Sequence, residues 1–341
     1  MSKHVQTKIR NYILRLIEEN KTDVVTKTIE TFGVSKSTVY NYINMLLDEE
    51  VIIKNETGKP RYSLKSDRHI FIYNLSPEKP LSEDRIFNKD IRPLLEDLKE
   101  NVVRIWQHAF TEMMNNAIEH SKASRIICIV SKDFLNTDII IADNGIGIFK
   151  NIQEYIQKES GEELMLSECA SLLLAGKFTT AREKHSGEGI FFTSHMMDKF
   201  IIFSGDVVFS RDNFEDVQLK NEFAKESTIV YMSLSNHSTK TTLKIFNRFS
   251  TLEEGFYKTQ IPVAHMFPGG GPVSRSEARR LGEIMTQFKE VELDFSGVAE
   301  VGQAFSHELF IVWKNSHPDI EIKRTNENLT VYSMIQRVLN T

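Results

Sequence analysis

The chain has 341 residues, 40% hydrophobic and 26% charged, with a formal net charge of −5 at pH 7. This balance excludes a disordered chain, and the length suffices for two or three domains with a sizeable core. The two cysteines, Cys128 and Cys169, form no C-x-x-C pair and no run of about 18 apolar residues occurs, so a disulfide framework, a zinc knuckle and a membrane partner are not expected and a cytoplasmic setting is.

Residues 5–19 (VQTKIRNYILRLIEE) place Ile9, Ile13, Leu16 and Ile17 on one helical stripe. A second helix fits 22–32, Gly33 stops it, and Ser35 is the N-cap of a third helix reaching about Glu49. On that helix Val39, Ile43 and Leu46 face inward, while Ser37, Thr38, Tyr40, Asn41 and Asn44 fall on the other side. VIIKN-ETGKP-RYSL reads as a hairpin with a polar, basic tip carrying Lys59 and Arg61. Residues 1–66 also hold eleven Lys/Arg against eight Asp/Glu, the reverse of the rest of the chain. This order of elements resembles the winged helix-turn-helix family. The resemblance implies DNA binding, with Ser35–Leu47 as recognition helix in the major groove and Lys54–Arg61 as wing. The contacting residues would be Ser37, Thr38, Tyr40, Asn41, Asn44, Lys59 and Arg61. A winged helix used for protein contact or dimerisation would carry the same pattern.

Residues 67–95 hold three prolines and many charges and read as a connector with one strand, His69–Leu75. From 96 to 235 helix and strand alternate. ENVVRIWQHAFTEMMNNAIEHS is a long helix with Val103, Trp106, Phe110, Met113 and Ala117 inward. RIICIV and DIIIAD read as strands of the buried type, and STIVYMSL as a late strand, so an α/β sandwich fits.

Three stretches in this centre carry chemistry. Glu112, Asn116 and His120 are spaced four apart and stack on one helix face. Such a row suits a solvated surface; it also suits a site, with Asn116 as a neutral oxygen ligand for Mg²⁺ and Glu112 orienting a water. DIIIADNGIGI runs a strand into Asp143, where a carboxylate can accept a hydrogen bond from an exocyclic amine and Gly145 and Gly147 permit a tight turn. An ordinary Asp/Asn-Gly turn reads the same way. In GKFTTAREKHSGEGI, Ser186-Gly187-Glu188-Gly189 opens an apolar helix IFFTSHMMDKF whose backbone amides could bind phosphate, with Thr179 and Thr180 as donors. A surface loop is the plainer alternative.

Taken in order, E-x-x-x-N-A, D-x-G-x-G and F-T-T followed by S-G-x-G resemble the GHKL (Bergerat-fold) ATPases, which include gyrase B and the histidine kinases. The resemblance covers about 96–235, and the lid wording looks most like the anti-sigma-factor serine kinases and histidine kinases. It implies ATP and Mg²⁺ as cofactors. Asn116 would be the metal ligand, and Glu112 the general base or water positioner. Asp143 would hold the adenine amine with Thr228 nearby. Gly145, Gly147, Phe178, Thr179, Thr180, Ser186, Gly187 and Gly189 would complete the nucleotide site. Two departures stand out: Ser227 replaces the family glycine before Thr228, and some thirty residues separate the Asp-Gly motif from Phe178.

The tail, 241–341, reads as a smaller α/β unit. Ser274 and Glu277 form a capping box, VELDFSG and IEIKRT are strands, and GQAFSHELFIVWKN is a helix. This tail is similar to STAS-like domains, the fold of anti-sigma-factor antagonists, through SRSEARRL and VELDFSGVAEVGQAFSHELF. Gly302, Gln303 and Ala304 stand where that family has its phosphoacceptor serine, and Ser306 is displaced from it. FSHELF also looks like a histidine-kinase box around His307, but it follows the ATPase-like segment instead of preceding it. PGGGP lacks the G-K-[ST] of a P-loop and reads as a hinge. The expected architecture is a multidomain α/β (α+β) chain: winged helix 1–66, connector 67–95, Bergerat sandwich 96–235 and STAS-like domain 241–341. The expected function is an ATP-dependent regulator in which Mg-ATP binding or hydrolysis switches a DNA-binding winged helix and a STAS-like tail that meets a protein partner. The alternative is an anti-sigma-type serine/threonine kinase acting on a partner protein. A homodimer is an arrangement the resemblance allows.

Overall fold

The computed structural model describes residues 3–58, 61–78, 80–161, 163–177, 187–210, 227–267 and 269–340. The chain divides into two compact units, one of residues 1–69 with 130–138, the other of 70–129 with 139–341.

The first unit begins with α1 (Lys3–Glu18), α2 (Val24–Phe32) and α3 (Lys36–Asp48), followed by the antiparallel pair β1 (Ile52–Lys54) and β2 (Tyr62–Leu64). Its core joins Ile9, Ile13, Leu16 and Ile17 of α1 to Val39, Ile43 and Leu46 of α3, none more than 4% exposed. The helix ends follow local chemistry. Gly33 takes φ 62° at the end of α2, and the Ser35 hydroxyl accepts the Thr38 amide at 3.2 Å to start α3.

The second unit holds most of a six-stranded sheet. Its strands are β3 (Asp67–Asn74), β4 (Arg125–Lys132), β5 (Asn136–Asp143), β6 (Lys199–Ser204), β7 (Val207–Ser210) and β8 (Thr228–Ser235), in the order β3-β4-β5-β8-β6-β7. The stretch expected as a connector holds helix: α4 (Glu83–Ile86) continues into a π turn and a 3₁₀ turn as far as Leu95. Phe87, Ile91 and Leu95 recur every four residues there and are fully buried, which gives that segment a reason to fold. The long α5 (Glu100–Glu119) buries all five apolar residues expected of it. β4 and β5 differ from the fully buried type: every second residue is buried and the intervening ones only partly so.

Beyond β5 come α6 (Ile148–Ser160), α7 (Leu166–Ala175) and α8 (Gly189–Met196). The helix expected through Phe200 stops at Met196. Asp198 instead accepts the Ser235 amide at 2.8 Å and the Lys240 ammonium at 2.7 Å, and Phe200 belongs to β6.

The C-terminal part of this unit holds α9 (Thr242–Phe249), the short pair β9 (Ser250–Thr251) and β10 (Gly255–Phe256), β11 (Lys258–Pro262) and α10 (Val263–Met266). Next come α11 (Arg275–Met285), β12 (Glu290–Asp294), α12 (Gln303–His307), α13 (Lys314–Ser316), β13 (Glu321–Thr325) and α14 (Leu329–Leu339). β11, β12 and β13 form a parallel sheet in that order. One face buries Thr259, Ile261, Val291 and Leu293; the other carries a charged ladder in which Lys258 and Lys323 reach Glu290 at 2.6 and 3.0 Å. The Ser274–Glu277 capping box forms as expected. The helix expected over GQAFSHELFIVWKN is interrupted by a π turn, Glu308–Trp313. Trp313 lies on Gly282 so closely that a Cβ there would sit 2.5 Å from the indole ring. The whole is a mixed α/β chain with a six-stranded sheet and a small C-terminal α/β domain. Among the described residues no helix is long and apolar enough to cross a membrane.

Candidate functional site

The helical period brings Glu112, Asn116 and His120 onto one face of α5 and its C-terminal end, and all three line a cavity of about 270 Å³. The strand period does the same for β5. Thr137, Ile139, Ile141 and Asp143 alternate onto the buried face, so Asp143 lines the same cavity at the strand's end. Gly187 just before α8, Gly189 at its first position and Thr228 at the start of β8 complete the wall. Residues from four separate stretches of chain therefore meet in one place.

Asp143 is 8% exposed, and burial pushes its carboxyl up to about 6, partly opposed by the backbone amides of Gly145 and Thr228. The Gly145 amide donates to Oδ1 at 2.8 Å. Gly145 and Gly147 do not line the cavity; they let the chain pass where a side chain cannot. A Cβ on Gly145 would sit 2.0 Å from the Ser121 carbonyl oxygen, which also accepts the Ile146 amide at 2.9 Å. Gly147 takes φ 85°, and a Cβ there would meet Ser204 Oγ at 2.7 Å. The Thr228 hydroxyl accepts the Ile148 amide at 2.9 Å, tying β8 to the first turn of α6.

Glu112 reaches the N-terminal end of α8: a Cβ on Gly189 would lie 2.0 Å from Glu112 Oε2. A carboxylate fits that position because the first amides of a helix carry partial positive charge. Beside it, burial raises Glu188 above the usual carboxylate range and lowers Lys177 below the usual ammonium range; each shift is partly opposed by the other group's charge. Glu188 also lines the cavity.

Phe178, Thr179, Thr180 and Ser186 lie outside the described residues, as does Lys59. In the N-terminal unit Ser37, Asn41, Asn44 and Arg61 are exposed, and Thr38 and Tyr40 are half-buried. The Ser37 and Thr38 hydroxyls lie 2.8 and 2.9 Å from Ser35 Oγ, so they belong to the capping cluster of α3. Asn115, Asn151 and Leu173 line the cavity without having been expected there. Asn151 comes from the first turn of α6, where its backbone amide donates to the Gly147 carbonyl at 3.0 Å, and Leu173 comes from α7. Nothing in the local spacing of either marks it. In the C-terminal domain Ser306 is fully buried and donates to the Gly302 carbonyl at 2.9 Å, so it is closed to chemistry, whereas His307 is exposed on the helix flank.

The long helix and the cavity lie in a segment that is similar to a known ATPase family. Residues 101–235 match the histidine kinase-, DNA gyrase B-, and HSP90-like ATPase family, and residues 277–332 match the STAS-like domain of unknown function (DUF4325). No curated protein matches the chain. The pairing of the two domains supports an ATP-binding regulatory protein.

Proposed function

We propose that the chain binds and hydrolyses Mg-ATP in this cavity, and that the nucleotide state governs what its N-terminal and C-terminal parts bind. The observation that carries this reading is the convergence of Glu112, Asn116, Asp143, Gly187, Gly189 and Thr228 on one cavity. The donor set fits the group. Asn116 offers a neutral carboxamide oxygen, the kind of hard ligand Mg²⁺ accepts while keeping most of its waters. The backbone amides at the start of α8 are donors suited to phosphate, and Glu112 lies against them at Gly189. Asp143 is a buried acceptor suited to an exocyclic amine, and Thr228, whose oxygen already accepts an amide, keeps its own proton to donate to a ring nitrogen.

In this reading Asn116 holds the metal, which when bound would neutralise phosphate charge. Asp143 and Thr228 select the base. Glu112 holds and deprotonates the attacking water, and the apolar wall of Ile141, Ile148, Ile202 and Val230 excludes other water from the base. The exposed Ser37, Asn41, Asn44 and Arg61 support DNA as the partner of the N-terminal unit. The C-terminal domain would meet a protein partner. The test is incubation of the full chain with γ-labelled ATP and Mg²⁺ beside Glu112→Ala. Free phosphate that depends on Glu112 is the expected result. Label retained on protein would instead make the chain a kinase, and neither signal together with no ATP binding would refute the reading.

A further inference from the structure

The cavity wall at Gly187–Gly189 and the turn that ends α7 are both held from outside by the C-terminal domain. The buried Thr259 hydroxyl of β11 donates to the Ala175 carbonyl at 2.6 Å. Gly176 takes φ 80°, and a Cβ there would lie 2.8 Å from the Phe256 ring and 3.1 Å from Phe191. Lys177 follows with φ 59°, a conformation a non-glycine residue adopts only when its surroundings hold it. What holds it is visible: its ammonium donates to the Gln287 carbonyl at 3.0 Å and lies 4.8 Å from the Phe288 ring centre and 5.4 Å from that of Phe256. On the other side α8 is gripped by the same aromatic group. Phe191 lies 4.7 Å from Phe256 and 4.9 Å from Phe249, Phe192 lies 5.1 Å from Phe256, and Phe256 lies 5.2 Å from Phe288. An ion pair joins Arg280 of α11 to Glu168 of α7.

From this we infer that Lys177 is a positioning residue through which the C-terminal domain sets the nucleotide cavity. Lys177 touches two things that belong to different parts of the molecule. One is the Phe256–Phe288–Gln287 seat on the C-terminal domain. The other is α7, whose closing turn it follows and whose Leu173 lines the cavity. A ligand that shifts Leu173 or α8 shifts the turn after α7 and so Lys177; anything that moves the Phe256–Phe288 seat acts back on that wall through Gly176 and Phe191. Coupling of this kind is reciprocal by thermodynamic necessity. The inference rests on the ATP reading above and names the route by which that site and the C-terminal domain would sense each other.

The test uses the full chain. Mg-ATP affinity is measured by calorimetry for wild type, Lys177→Met, Lys177→Arg and Phe288→Leu, and hydrogen exchange over residues 280–290 is followed with and without Mg-ATP. Lys177→Met is expected to weaken binding by about fivefold or more, and Lys177→Arg to recover most of it, since a guanidinium can occupy the same aromatic seat. Phe288→Leu should weaken binding in the same direction although Phe288 does not line the cavity. Nucleotide should change exchange at residues 280–290 in wild type and not in Lys177→Met. A wild type that binds Mg-ATP while Lys177→Met and Phe288→Leu bind within about twofold of it, with unaltered exchange, overturns this inference alone. A wild type that binds no Mg-ATP removes the ATP reading and this inference with it.

Discussion

Asp143→Asn separates the two things that burial does to Asp143. The carboxyl is 8% exposed and burial pushes its titration up to about 6 from 3.8. A carboxyl raised in the folded state binds its proton more tightly there than in the unfolded chain. Its contribution to stability is therefore full below about 3.8 and lost as pH rises through about 6. At pH 7.5 the free protein carries a cost of about 3 kcal/mol for keeping this group ionised. Replacement by Asn removes that cost and keeps an oxygen for the Gly145 amide. Asp143→Asn should melt at or above the wild-type temperature at pH 7.5, and the difference should vanish towards pH 4. Nucleotide binding should go the other way. The ionised carboxylate is the stronger acceptor for an amine donor, so wild-type affinity is level above about pH 7 and falls by up to about tenfold at one unit below the carboxyl's pKa. The phosphates titrate too, so the informative quantity is the wild-type to Asp143→Asn affinity ratio between pH 5 and 8, measured by calorimetry. A ratio independent of pH, or a variant less stable than wild type at pH 7.5, would refute the role given to the buried carboxylate.

Asn116→Ala should abolish Mg-ATP binding, whereas Glu112→Ala should retain binding and lose turnover; tight ATP binding by the Asn116 variant would sink the site assignment. Gly145→Ala places a Cβ 2.0 Å from a backbone carbonyl of Ser121, where neither side can give way, and should cost on the order of 1–3 kcal/mol or more in denaturant titrations of the nucleotide-free chain. For the N-terminal unit, Asn41→Ala should lose about 1–3 kcal/mol at one base pair of a selected duplex. Arg61→Ala should reduce the salt slope by roughly one without changing base preference. Failure of the wild type to select any duplex from a random pool would remove DNA as the partner.

The parts of the site that the sequence makes readable are those set by a short period along one element. Glu112, Asn116 and His120 follow from the helix, and Asp143 follows from a strand that alternates and then turns at glycine. Asn151 and Leu173 reach the cavity because α6 and α7 fold back over it, a long-range placement that no local spacing encodes. Local pattern also misplaces the end of α8. IFFTSHMMDKF is apolar enough to continue as helix, yet Asp198 is captured by Lys240 and the Ser235 amide, and that tertiary pairing outweighs propensity. The connector misreads for a related reason. Pro77, Pro80 and Pro93 signal loop, and the first two do lie outside helix and strand, but Pro93 sits at the start of a 3₁₀ turn where a missing amide costs nothing. The π turn at Glu308–Trp313 answers to Gly282 on a different helix, and only the packed structure shows it.

The costly features of the fold gather around the cavity and need the C-terminal domain to offset them. Asp143 is a desolvated carboxylate, Lys177 sits in a left-handed conformation, and His108, one turn before Glu112, is held down to about 4 by burial. His108 meets Phe246 edge-on at 5.3 Å, and Phe246 in turn lies 4.4 Å from Phe192. The aromatic layer therefore runs from the C-terminal side of α8 to the back of the helix that carries Glu112 and Asn116. Phe191 and Phe192 are each 1% exposed. A chain ended at residue 240 would lose Phe246, Phe249, Phe256 and Phe288, exposing the faces of Phe191 and Phe192 that those rings cover. At about 1.5–3 kcal/mol for each large apolar side chain returned to water, exposing both rings costs up to about 6 kcal/mol, a large share of a domain's stability. The truncated chain should be aggregated or bind Mg-ATP far more weakly than the full one, as read by size-exclusion chromatography and calorimetry. A soluble monomer of residues 1–240 with full-length affinity would show that the C-terminal domain contributes nothing to the cavity.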